Sequence, residues 1–176
     1  LLGISSIGAT AGNLSPVGLT GAAMQMFSHG VITGLLFVMV GVIYDKAHTR
    51  HIPDLGGLAT RMPIAAVALM VAGLASLGLP GTSGFAAEIM IFLGTFPAHG
   101  VITALATIGV LLGAGYVLWM VQRTLFGPQR ERWAHLTDVS AVEAVAPVLL
   151  MAAILIVGIY PAIVSDVFKA GVNDLF

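Results

Sequence analysis

Residues 63–97 form an apolar stretch of 35 residues with almost no charge, and they limit the possible fold more than any other segment. Glu88 is the single charged side chain within them. One straight helix of this length would measure about 52 Å, whereas the hydrocarbon core of a bilayer is about 30 Å thick. The helix must therefore tilt strongly or break. Pro80 followed by Gly81 is the expected place for a break, because proline removes a backbone donor and clashes with the preceding turn.

Pro80-Gly81 and Glu88 are both costly in lipid, which suggests that the chain uses them. A proline inside a helix costs about 3 kcal/mol, and a carboxylate at the bilayer centre costs on the order of 2.5–3.5 kcal/mol. Thr82 and Ser83 are expected to cap the helix that restarts. The pattern predicts two half-helices joined by an unwound segment, as in transporter ion sites. The alternative is a proline kink, with Glu88 in a structural hydrogen bond.

The composition identifies an integral membrane protein. Only 9% of the 176 residues are charged, and the mean hydropathy is +1.02. The absence of cysteine excludes disulfides and thiolate chemistry, and a net charge of −1 predicts no nucleic-acid partner. The chain begins at Leu1 with neither a signal peptide nor an initiator methionine, so we expect a fragment whose preceding part is missing.

The apolar segments predict an all-α, polytopic membrane domain over residues 1–176. Residues 1–11 are too short to cross a bilayer and are expected to be the end of an earlier helix. The four complete spans are expected at residues 20–43, 63–97, 101–122 and 144–165, followed by a short polar tail at 166–176. Together they give four complete transmembrane helices and a partial one, with one helix broken at Pro80-Gly81.

The basic residues predict which ends of these helices share one side of the membrane. Six of the seven fall in two loops that are separated by two spans: Lys46, Arg50, Arg61, Arg123, Arg130 and Arg132. Loops two spans apart lie on the same side, and only Lys169 lies on the other. By the positive-inside rule, the span at 20–43 runs from outside to inside.

His29 and Glu88 are the two ionisable residues expected within the spans. His29 follows Thr20 by nine residues, and Glu88 precedes Pro97 by nine. At 1.5 Å per residue, both lie about 13 Å from the outer boundary. Burial favours the neutral form of each group, and a neutral imidazole beside a carboxylic acid is suited to relaying protons. The alternative for His29 is a hydrogen bond that only joins two helices.

Other motifs point to no chemistry on this chain. His48, His51, His99 and His135 fall in loops or at interfaces, without the spacing of a metal site. The sequence contains no phosphate-binding loop, haem pair, flavin motif or iron–sulfur ligand set. We therefore expect no cofactor here and any redox chemistry on other chains.

Three stretches, residues 25–58, 61–96 and 116–128, resemble one family. They contain QMFSHG, LGLPGTSGF and YVLWMVQRTLFGP, and they are similar to the C-terminal part of chain M of bacterial NADH–quinone oxidoreductase, respiratory complex I. Multisubunit sodium/proton antiporters share the SHG and LPGxSGF regions. In those relatives lysine typically occupies the position of Glu88, whereas the chain M branch has glutamate.

The resemblance implies a fourteen-helix subunit built from inverted repeats, of which this chain would hold the end of helix 10 and helices 11 to 14. His29 would belong to the central hydrophilic axis, and Glu88 would end the second half-channel. The family's other relay residues would precede Leu1. NADH, FMN, iron–sulfur clusters and quinone are implied on other subunits. The implied partners are chains L and N, with neighbouring membrane subunits and the lipid bilayer, in the bacterial inner (plasma) membrane.

Three hypotheses follow from these observations. The first is a proton-translocating subunit of NADH–quinone oxidoreductase, with His29 and Glu88 as the proton relay. The second is a subunit of a multisubunit cation/proton antiporter with no redox partner. The third is a structural membrane subunit, in which His29 and Glu88 satisfy each other.

Overall fold

The computed structural model of the chain describes residues 15–128 and 130–173, and it contains no strand within them. Its α-helices are α1 (Pro16–Ala47), α2 (Leu58–Arg61), α3 (Pro63–Ser76), α4 (Ser83–Leu125), α5 (Ala141–Ile159) and α6 (Ala162–Asn173). Two short 3-10 helices, Ile52–Asp54 and Glu131–Trp133, lie in the connecting loops. The predicted all-helical class is confirmed, while the partial helix expected at residues 1–11 lies outside the described residues.

Three of the described helices are long and apolar enough to cross a membrane: α1, α4 and α5. Helix α3 is apolar but has only 14 residues. No helix ends between the expected spans 63–97 and 101–122, although the backbone of His99 between them is not helical. The chain leaves the helical conformation earlier, after Ser76, and α4 then continues through both of the expected segments.

Helix α4 reverses direction at His99. The backbone of His99 is not helical, with φ −136° and ψ 53°, two residues after Pro97. Phe85 and Val110 would be about 38 Å apart in a straight helix. The two residues instead lie close to each other, since both line one cavity. Residues after His99 therefore run back alongside those before it, and α4 consists of two antiparallel arms.

The first span begins four residues earlier than predicted. The side chain of Ser15 accepts a hydrogen bond from the backbone N–H of Gly18 (3.2 Å), and Pro16 occupies the first turn. Proline is favoured there because the first turn needs no N–H from it. The helix also continues past residue 43 and ends at His48, whose left-handed backbone (φ 51°) closes the last turn.

The last predicted span, 144–165, is also shifted. It begins at Ala141, because Ser140 and Glu143 form a capping box in which each side chain accepts a hydrogen bond from the other residue's backbone N–H. It ends at Ile159, just before Pro161, which has no N–H to continue the helix. The expected polar tail begins within α6, which is a helix through Asn173.

The apolar core surrounds α1. Ile32, Leu35 and Met39 on α1 are at most 3% exposed and belong to a cluster that includes Ala68 and Leu69 of α3. At the other end of α1, Gly18 lies so close to Gly94 that a Cβ on Gly94 would overlap the backbone of Gly18. This approach sets the register between α1 and the first arm of α4.

The two basic loops meet at one end of the helices. Arg130 donates to the carbonyl of Pro53 (2.5 Å), and both Arg132 (3.0 Å) and Trp133 (3.1 Å) donate to the carbonyl of Asp54. The loops therefore lie on the same side, as the charge distribution predicts. Lys169 is on α6, and α6 packs beside the opposite end of α1.

We expect Gly94→Ala to destabilise the protein by about 1–3 kcal/mol, because the added methyl group overpacks the contact with Gly18. Thermal unfolding of the detergent-solubilised protein measures the change. Gly115→Ala is the matched control on the same helix, since its added methyl group would meet nothing within 4 Å in the described chain beyond its own helical turns. Equal unfolding temperatures for the two variants would contradict the close approach.

Candidate functional site

The chain is not helical between Ser76 and Ser83, a stretch that contains Pro80 and Gly81. Short-range backbone bonds replace the helical pattern, including one from the N–H of Leu79 to the carbonyl of Leu74 (3.1 Å). These turns satisfy part of the backbone that proline prevents from continuing as a helix. The apolar sequence is thereby divided into α3 and α4.

Thr82 occupies the N-cap position of α4, as predicted, but its side chain makes no capping hydrogen bond, and Ser83 is already the first residue of the helix. The hydroxyl of Thr82 donates instead to the carbonyl of Leu79 (2.7 Å), and no side chain caps α4. The hydroxyl of Ser83 pairs with that of Ser28 on α1 (2.7 Å), and both residues are fully buried. A buried side-chain hydrogen bond therefore holds the interruption, the non-helical residues 77–82, close to α1.

Two glycines allow backbone to pack directly on the interruption. A Cβ on Gly158 of α5 would overlap the carbonyl oxygen of Gly81, and one on Gly84 would overlap the carbonyl oxygen of Ala75. The last turn of α5 and the first turn of α4 thus enclose the unwound segment. This packing excludes lipid from part of a backbone that lipid could not satisfy.

Glu88 lies one to two turns into α4, and its carboxyl group points back to the interruption. It is half-buried and contacts Gly78. The backbone of Gly78 has a φ of +69°, which residues other than glycine rarely adopt. A Cβ on Gly78 would overlap one carboxyl oxygen of Glu88. Among the described residues, the carboxyl group has neither an ion pair nor a hydrogen bond to a side chain. Water or another chain must therefore solvate it.

Glu88 lies where three cavities meet. The first, of about 390 Å³, lies between α1, α3 and the second arm of α4. Its polar lining consists of Gln25, His29, Thr33, Ser76, Glu88 and Tyr116. Two further cavities, of about 350 and 300 Å³, extend along the second arm of α4, and Glu88 borders both. Each is large enough for several water molecules.

The structure brings His29 and Glu88 to the same cavity but not into contact. Within the part of the chain that the structure describes, no hydrogen bond or ion pair joins them. Because Ser28 lies opposite Ser83, and Gly18 opposite Gly94, the backbone of Glu88 is about 8 Å nearer the outer end than the backbone of His29. The equal depth estimated from the sequence does not hold, since α1 begins at Pro16 and His29 lies deeper along it.

Sequence reasoning missed Gln25 and Tyr116. Gln25 precedes His29 by four residues, so the helical period places both on one face of α1. A polar amide in an otherwise apolar helix could have identified Gln25 as a candidate site residue. Tyr116 lies on the second arm of α4 and reaches the site because the chain reverses at His99. The expected spans 63–97 and 101–122 imply a reversal between them, but not which face of the second span meets the site.

The other histidines lie away from this cavity. His48 ends α1, His51 contacts Asp54 (3.2 Å), and His99 lies at the bend of α4. The structure places no three or more His, Cys, Asp or Glu residues, among those it describes, where they could hold a metal ion. The site as a whole is a half-buried carboxyl group, an imidazole and several neutral polar groups around space for water.

Comparison with known proteins gives consistent matches. Residues 1–113 match the family described as NADH:quinone oxidoreductase/Mrp antiporter, TM. NADH-quinone oxidoreductase subunit M of Rhodobacter capsulatus is 43% identical over 159 residues, or 90% of this chain and 31% of that protein. F(420)H(2) dehydrogenase subunit M of Methanosarcina mazei is 38% identical over 153 residues, or 87% of this chain and 31% of that protein.

A solved structure matches as well. A chain of respiratory complex I from Thermus thermophilus with bound NADH superposes with a TM-score of 0.81 and 30% identity. The match covers 92% of this chain and 35% of that chain. The chain thus spans about a third of the length of the curated relatives it matches.

The buried pair Ser28–Ser83 generates a stability prediction. We expect Ser28→Ala or Ser83→Ala alone to cost about 1–3 kcal/mol, because each leaves one buried hydroxyl without a partner. The double variant should cost less than the sum, with a coupling of about 0.5–3 kcal/mol. A double-mutant cycle on thermal unfolding measures this coupling, and strictly additive costs would contradict it.

Proposed function

The chain belongs to the NADH:quinone oxidoreductase/Mrp antiporter membrane family, and we propose that it is a proton-translocating membrane-arm subunit of NADH–quinone oxidoreductase. The observation that carries the proposal is the position of Glu88, at unwound backbone where three cavities meet. One of these cavities also reaches His29. The similarity to subunit M of Rhodobacter capsulatus favours this assignment.

In the proposed mechanism, Glu88 exchanges protons with the outer side and His29 passes protons along the hydrophilic axis. A carboxyl group that is half-buried and unpaired within this chain holds or releases a proton at modest cost when water reaches it. An imidazole accepts a proton on one nitrogen and releases one from the other. The redox steps occur elsewhere: NADH, FMN, iron–sulfur clusters and quinone are proposed on other subunits, with no redox centre on this chain.

The proposal includes an arrangement in the membrane. Four spans would be formed by α1, by α3 with the first arm of α4, by the second arm of α4, and by α5. Large apolar side chains on three of these helices are exposed, including Phe37 (77%), Leu111 (72%) and Ile159 (76%), which suits contact with lipid or neighbouring subunits. We propose that the chain forms the C-terminal part of a fourteen-helix subunit in the bacterial inner membrane, beside chains L and N.

The main alternative is a subunit of a multisubunit cation/proton antiporter, because the family description names both classes. An antiporter would move protons against a cation gradient without NADH. The third hypothesis was a structural subunit in which His29 and Glu88 satisfy each other. The absence of a bond between them in the described chain argues against it.

We expect Glu88→Gln in the full-length subunit to lower NADH-driven proton pumping about tenfold, because an amide cannot release a proton. Pumping is measured in inverted membrane vesicles with a pH-sensitive dye, at equal content of assembled complex. Asp166→Asn is the matched control, since this carboxylate is 64% exposed and pairs with Lys169. Undiminished pumping by Glu88→Gln would refute the relay, and a requirement for added Na⁺ would favour the antiporter.

We expect His29→Gln to lower pumping while leaving the amount of assembled complex unchanged. Glutamine is polar and similar in length, so it can hydrogen-bond to water in the cavity but cannot carry a proton. Native electrophoresis measures assembly, and the vesicle assay measures protons moved per NADH oxidised. The opposite result, reduced assembly with a normal proton ratio, would support a structural role for His29.

A further inference from the structure

We propose that Gln25 is a positioning residue that orders the water between Glu88 and His29. This inference rests on the proposed relay function. It starts from the two ionisable groups, which line one cavity with no hydrogen bond between them in the described chain. Without such a bond, a proton can pass between them only through intervening polar groups or water.

Gln25 lies on the wall of the cavity that Glu88 and His29 share. It is one turn from His29 on the same face of α1, and both line the 390 Å³ cavity. The pairing of Ser28 with Ser83 places the backbone of Gln25 within about 3 Å of the level of the Glu88 backbone, and the carboxyl group extends from there toward Gly78. Gln25 therefore borders the cavity that both Glu88 and His29 line.

The amide of Gln25 has an unmet hydrogen-bonding requirement. Its Oε1 atom is buried and has no partner within the described chain. Buried polar atoms in proteins are nearly always paired, with ordered water when no protein group is available. The cavity has room for roughly ten water molecules at 30 Å³ each. A water that donates to Oε1 is thereby held at the level of Glu88.

Two other polar groups on the cavity wall, the hydroxyls of Thr33 and Ser76, are less suited to this role. The hydroxyl of Thr33 donates to the carbonyl of His29 (2.7 Å), and that of Ser76 donates to the carbonyl of Gly73 (2.7 Å). Their protons are used within their own helices, so toward water they act as acceptors only. The amide of Gln25 offers both an acceptor and donors.

Gln25 itself carries no proton in this scheme. Each water between the two groups accepts one proton on its oxygen and releases another, so that one proton leaves a ring nitrogen of His29 and one arrives at the carboxylate of Glu88. The amide keeps its atoms and charge throughout, and it fixes the orientation of the first water. Replacing the amide should therefore slow proton transfer, while Glu88 and His29 each remain able to gain and lose a proton.

Three variants of equal or smaller size distinguish this role from simple packing. Gln25→Met keeps the volume but removes hydrogen bonding, Gln25→Asn keeps the amide, and Gln25→Ala leaves space that an extra water can fill. If Gln25 orders water, pumping per assembled complex should fall about three- to tenfold in Gln25→Met. It should remain higher in Gln25→Asn and Gln25→Ala. If Gln25 only fills space, Gln25→Met should be the least affected and Gln25→Ala the most.

The experiment uses vesicles that contain the complete complex, with NADH as the electron donor. Pumping is measured in H₂O and in D₂O, and we expect the ratio of the two rates to increase in Gln25→Met, because proton transfer becomes slower than the redox steps. A packing defect would leave this ratio unchanged. If Gln25→Met does not assemble, Gln25→Leu serves as the apolar variant in the same comparison.

The result separates this inference from the proposed function. Normal pumping in the apolar variant, together with impaired pumping in Glu88→Gln, would overturn the role of Gln25 and leave the relay intact. Normal pumping in Glu88→Gln would overturn the relay itself. An apolar variant that pumps better than Gln25→Ala would also contradict the ordering of water by Gln25.

Discussion

A carboxyl group and an unwound backbone segment must both be accommodated inside an apolar bundle, and the surrounding packing follows from that constraint. Lipid satisfies neither group, so the protein has to. Ser28 on α1 hydrogen-bonds to Ser83 at the restart of the helix, and α5 brings Gly158 against the carbonyl of Gly81. Glu88 then directs its carboxyl group toward Gly78, into space that three cavities share. The interruption and the acidic group are thus parts of one feature.

The same packing separates Glu88 from His29. Close approach of Gly18 to Gly94 and pairing of Ser28 with Ser83 set a register in which the backbones of the two residues differ by about 8 Å in level. No hydrogen bond joins their side chains within the described chain. A direct ion pair would favour a fixed charge distribution and hold the proton. A separation bridged by water allows each group to change protonation in turn. In this respect the distance between the groups suits a relay better than contact would.

Much of the architecture could be predicted from the sequence. The all-helical class, the interruption near Pro80 and the shared side of the basic loops all depend on the chemistry of single residues or short segments. Helix ends were less predictable, because Ser15 and the Ser140–Glu143 capping box extend helices beyond their most apolar part. The capping hydrogen bond expected from Thr82 is absent, because its hydroxyl donates to the carbonyl of Leu79 instead.

The sequence by itself determined that this chain is a membrane-type helical protein and that Glu88 is its one charge in a long apolar segment. Those properties follow from composition and from the backbone limits of proline, which act locally. Only the tertiary structure decided which groups share a cavity. Gln25, Glu88 and Tyr116 meet there because α4 reverses at His99 and packs in one register against α1. Such a meeting depends on contacts between residues distant in sequence, which no local pattern encodes.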